Sequence, residues 1–82
     1  MDAQRKALKH ALNKMSTKEA TAYVKNFELR PDEEQVILLC DVKGESVTAV
    51  SFALHCSRVV VERKRTAGYE RMLRDIGKNM PI

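Results

Sequence analysis

The sequence predicts an all-α fold, a small bundle of four to five helices, and three observations carry that expectation. Apolar residues recur at three- and four-residue spacing, as in Ala20, Tyr23, Val24 and Phe27. Helix-start signals precede these periodic stretches: Ser16, Pro31, Ser46 and Ser57 stand where an N-cap or a first-turn proline belongs. The composition, 44% hydrophobic with three glycines and two prolines, argues against disorder and low complexity. At 82 residues the chain is one domain that buries about 60–65% of its unfolded surface, so it needs a compact helical core or a partner.

Residues 2–15 are rich in good helix formers, and Leu8, Ala11, Leu12 and Met15 mark an apolar stripe that Ala7 extends. Asp2 and Lys14 suit the helix dipole. The stripe is narrow, which predicts weak docking on the domain or use as a contact surface. His10 falls on or beside the polar face. Ser16 to Glu19 has the capping-box pattern, so a second helix starts at Thr17, with one continuous helix through Met15 as the alternative. Tyr23 and Phe27 are the largest apolar side chains of this half and belong to the core.

Pro31 opens the next helix, where its missing N–H costs nothing, and Asp32, Glu33 and Glu34 follow in a first turn that favours negative charge. Val36, Ile37, Leu39, Cys40 and Val42 supply its apolar side, and Leu38 helps to close the core. Composition alone would allow a strand at Ile37–Cys40; the acidic start and the stop at Lys43-Gly44 favour a helix. Three adjacent carboxylates on one helical turn point in different directions, so no acid/base or metal site is expected from them.

Ser46 is the N-cap of a short helix whose Val47, Val50, Ala53 and Leu54 form one face, with Phe52 pointing away from it. A tight turn at His55-Cys56-Ser57 leads into a longer basic helix capped by Ser57. A short helix turning directly into a longer one that carries Arg58, Arg63, Lys64 and Arg65 has the shape of a helix-turn-helix. Val61 is the expected inward anchor. Val59 and Val60 cannot both point inward with it, so at least one apolar side chain faces outward, where a branched residue can meet a thymine methyl. Gly68 costs about 1 kcal/mol in a helix interior, which implies a bend or a close crossing. Met72, Leu73 and Ile76, with Tyr69 beside them, continue the apolar face until Gly77 and Pro81 end the helix.

Fifteen Lys and Arg against eleven Asp and Glu give a net charge of +4. Residues 1–45 are neutral in sum, so the whole excess lies in residues 46–82, as a nucleic-acid face requires. Cys40 and Cys56 match no disulfide or metal spacing and are expected as buried free thiols. No leader or membrane-spanning stretch is visible, which points to a cytoplasmic protein. No nucleophile–base set, metal cluster or cofactor motif is present, so neither an enzyme nor a cofactor is expected.

In ordered spacing, residues 29–75 resemble region 4 of bacterial sigma factors, and in particular the small phage- and prophage-encoded regulators built like it. The residues that carry the resemblance are Leu29, Pro31, Asp32-Glu33, Val36-Ile37-Leu38-Leu39, Val42, Gly44 and Ser46. It continues through Val50, Leu54, Cys56-Ser57, Val61 and Leu73. The resemblance implies a helix-turn-helix of region 4 type whose recognition helix from Ser57 enters the major groove of double-stranded DNA. By position, Ser57, Arg58, Val59, Val60, Glu62 and Arg63 would lie nearest the duplex, with Ser46, Lys64 and Arg65 placed for phosphate. It also implies RNA polymerase or a sigma factor as a possible partner. Val60 and Glu62 stand where family members often carry polar or basic residues, Arg65 where an apolar one is common, and His55 where the turn usually has a glycine-like residue. The expected organisation is an N-terminal helical extension (1–28), the region 4-like domain (29–77) and a short tail (78–82). The extension is the natural place for a polymerase contact or for a homodimer.

Overall fold

Serine caps open three of the five helices and a proline opens a fourth, so local sequence signals divide the chain. The computed structural model describes residues 2–79. The helices are α1 (Asp2–Lys14), α2 (Thr17–Lys25), α3 (Pro31–Ile37), α4 (Val47–Ala53) and α5 (Arg58–Asn79), and a π-helical turn, Leu38–Val42, prolongs α3. No strand occurs among the described residues. Ser16 Oγ accepts the Glu19 amide at 3.1 Å while the Glu19 carboxylate accepts the Ser16 amide at 3.0 Å, so α1 and α2 are separate helices. Gly77 does not stop α5, which runs on to Asn79; Pro81 lies outside the described residues.

The core is two clusters strung along α5. Leu8 and Leu12 of α1, Ala20 and Val24 of α2, Leu29, Ile37, Tyr69 and Met72 form the first. Val36, Cys40, Val50 and Val61 form the second, between α3, α4 and the start of α5. The narrow stripe on α1 predicts weak docking; the structure corrects this, because Leu8 and Leu12 are buried in the first cluster. Two large side chains suffice where they meet Tyr69 and Met72, and Ala7 and Ala11 stay exposed beside them.

Between the clusters lies the π-helical turn, against which α1, α2 and α4 all pack. The Lys43 amide donates to the Leu38 carbonyl at 2.9 Å, and Gly44, at φ 77°, lets the Glu45 amide return to the Leu39 carbonyl at 3.0 Å. All five residues of the turn are buried or half-buried. Leu38 and Val42 join the first cluster and Leu39 and Cys40 the second. Burial pushes the Cys40 thiol above its ordinary value, so it packs as a neutral side chain.

The α3–α5 crossing is the largest contact of the fold. A Cβ on Gly68 would stand 3.0 Å from Cγ1 of the fully buried Ile37, so the glycine is what lets the two helices approach. Replacing it trades helix propensity against space. Gly68→Ala is expected to stay within about 1 kcal/mol of the wild type, since the propensity gain offsets a small shift of Ile37. Gly68→Val is expected to lose about 2 kcal/mol in urea unfolding.

Candidate nucleic-acid interface

Sequence chemistry at two helix starts and one turn builds the end of the molecule where α4 meets α5. Ser46 Oγ accepts the Ala49 amide at 3.0 Å, and Ser57 Oγ accepts the Val60 amide at 3.2 Å. Each hydroxyl keeps its own proton to donate outward. Between the helices, His55 takes the left-handed conformation at φ 55°. Its amide donates to the Phe52 carbonyl at 3.3 Å and the Cys56 amide to the Ser51 carbonyl at 3.0 Å, the bond pair of a Schellman turn. Val50 and Val61, both fully buried, hold the two helices together from beneath, as expected for Val61.

Over this anchor the outward side chains divide clearly. Ser46, Ser57, Arg58, Val59, Glu62 and Arg63 are exposed together, and Val60 is half-buried. Val59 is 65% exposed and is therefore the branched residue that faces outward. An open groove runs between the first turns of α4 and α5, lined by Val47, Thr48, Arg58, Val59 and Glu62. Neither Arg58 nor Arg63 has an ion-pair partner among the described residues. Phe52, 76% exposed, lies on the outer side of α4 as its spacing predicts.

Two basic residues expected at phosphates are otherwise engaged. Lys64 Nζ lies 3.5 Å from the Asp32 carboxylate. Burial works against that carboxylate's charge, yet the Glu33 amide, Lys64 and Arg30 hold Asp32 below its ordinary value. Arg65 turns inward. Its Nε donates to Asp41 at 2.9 Å and a second guanidinium nitrogen grips the other carboxylate oxygen, with the Asp41 side chain fully buried. The Asp41 hydrogen bonds hold Arg65 above its ordinary value, so the guanidinium stays charged and its fork is spent on Asp41. Glu62 adds a looser contact, 3.8 Å from Arg65.

Helical spacing alone gives Asp41 no role, although an acid set between the apolar run Ile37-Leu38-Leu39-Cys40 and Val42 demands a counter-ion once buried. The same pair bears on Tyr69, whose buried hydroxyl faces Asp41 without hydrogen-bond geometry. Arg5 lies over the Tyr69 ring, 4.9 Å from its centroid, and donates to Thr66 Oγ1 at 3.2 Å. Two carboxylates in the acidic first turn of α3 face different partners. Asp32 faces Arg30 and Lys64, while the buried Glu33 stands 2.9 Å from Arg71 Nε. No group of three metal-ligating side chains converges among the described residues. No described helix is long and apolar enough to cross a membrane.

No family model matches the chain, and no curated protein or solved structure shows detectable similarity to it.

Two expectations follow from the buried pair. Asp41→Leu or Arg65→Leu alone leaves one charge uncompensated and is expected to cost about 3 kcal/mol in chemical unfolding. The double variant is expected to lose clearly less than the sum of the two. Burial first, and then the Asp41 charge, push the Tyr69 hydroxyl above its ordinary 10.0. The folded state therefore holds that proton more tightly than the unfolded one. The stability this gives is complete below about pH 10 and falls as the pH rises further. Thermal melts at rising alkaline pH should show a shallower loss for Tyr69→Phe than for the wild type.

Proposed function

We propose that the chain is a DNA-binding transcriptional regulator, with α4 and α5 as a helix-turn-helix and the first two turns of α5 as the recognition helix. One observation carries the reading. Ser46, Ser57, Arg58, Val59, Glu62 and Arg63 are exposed at one end, directly over a fully buried Val50–Val61 contact. A braced helix end of that kind fits a major groove about 12 Å wide. The resemblance of residues 29–75 to sigma factor region 4 supports the same orientation.

The residues divide the work by chemistry. Arg58 and Arg63 supply charge, and an arginine can grip a guanine edge through two hydrogen bonds. Val59 offers methyl groups to a thymine, and the Ser46 and Ser57 hydroxyls, with the exposed Thr48, donate to phosphates. Glu62 accepts from a cytosine amino group and repels phosphate, which trades affinity for selectivity. With Lys64 and Arg65 drawn toward carboxylates, the duplex meets little free charge from α5 alone. RNA polymerase, a sigma factor or a second copy of the chain then serves as a co-anchor. The exposed Phe52 favours a second reading, in which this end binds polymerase or a sigma factor in place of DNA.

A salt-titrated binding assay on promoter fragments tests both. Arg58→Ala/Arg63→Ala is expected to weaken binding and to reduce the slope of log K against log salt by about 2, while Glu62→Gln strengthens binding. Affinity and slope unchanged in the arginine variant would leave the second reading in its place.

A further inference from the structure

The N-terminal half of the chain is neutral in sum, but the fold does not spread that charge evenly. A cleft between α1 and α5 is lined by Arg5, Lys6, Lys9 and Arg65, four cations with no acid in the lining. Asp41, behind Arg65, balances that one guanidinium. Arg5, Lys6 and Lys9 are three and four residues apart on one helix, where like charges repel. None of the three is in an ion pair among the described residues. Arg5 is held by Thr66 and the Tyr69 ring and so ties α1 to α5. Lys6 and Lys9 are exposed.

The cleft also lies in line with the proposed recognition surface. Arg58, Glu62, Arg65 and Tyr69 form one stripe along α5, and a rise of 1.5 Å per residue puts Arg65 about 10 Å up the axis from Arg58. A B-form major groove is roughly 8.5 Å deep. Were α5 to enter the groove N-terminus first, with Arg58 at the base edges, the cleft would stand at the lip of the groove, where the sugar–phosphate backbone runs. We propose that the α1–α5 cleft is a second phosphate site, in which Lys6, Lys9 and Arg5 hold the duplex backbone beside the groove that α5 occupies. The proposal rests on the DNA-binding reading above and gives α1 a direct part in it.

The test is fluorescence anisotropy with the full chain and a labelled duplex of about 30 base pairs, titrated from about 50 to 200 mM salt. Lys6→Ala/Lys9→Ala is compared with Lys14→Ala/Lys18→Ala, which removes the same charge from exposed positions away from the cleft. Circular dichroism establishes that both variants keep the wild-type helix content. The cleft variant is expected to bind more weakly, with a salt slope shallower by about 2, while the control keeps the wild-type slope. Equal slopes for the two variants, with Arg58→Ala/Arg63→Ala still impaired, would overturn the α1 site and leave the groove reading standing. Absence of salt-dependent binding by the wild type would overturn both.

Discussion

The crossing of α3 over α5 at Ile37 and Gly68 sets the position of everything else. It works because one residue has no side chain and its neighbours carry opposite charges. On either side of the glycine contact, Asp41 meets Arg65, Glu33 meets Arg71 and Asp32 meets Lys64. The apolar contact supplies closeness, and the ion pairs supply direction, since a register slip would leave a buried carboxylate without its cation. Through this crossing α5 becomes a spine. Its C-terminal half seats α1 and its N-terminal half seats α4, while α2 packs on α3 and the π-helical turn. The face proposed to meet DNA is held in place by contacts that do not themselves reach it.

Local chemistry made much of this fold legible in advance. The Ser16–Glu19 box, Pro31, Gly44, Ser46 and Ser57 all mark real boundaries, because caps and turn residues act within a few positions of themselves. Helical spacing was equally informative for single residues: it turned Val61 inward and Phe52 outward. Ions whose partners are distant in sequence could not be assigned that way. Arg65 lies in a run of basic residues and looks like its neighbours, yet Asp41, twenty-four positions earlier, draws it inside. The strength of α1 docking depended likewise on Tyr69 and Met72. The charge sum over residues 1–45 concealed the cationic cleft, because the acids that cancel it mostly belong to α3 and the loop after it.

Withdrawing Arg65 and half-engaging Lys64 changes the character of the proposed DNA face. What remains near the groove is two free arginines, one opposing glutamate, hydroxyls and an exposed valine. As a DNA face, this set of groups would discriminate by shape and hydrogen bonding more than by bulk attraction. On the proposed reading, such a face would need a second contact to raise its residence on a duplex. The basic side of α1 is well placed for that, being on the same domain and attached to the same helix.

The two-cluster construction also sets how the molecule comes apart. The cluster under α4 contains only four buried apolar side chains, whereas the one under α1 and α2 contains eight. The α4 end therefore has less apolar contact to lose on partial opening, so its backbone amides are expected to exchange with solvent water before those of α5 beside Tyr69.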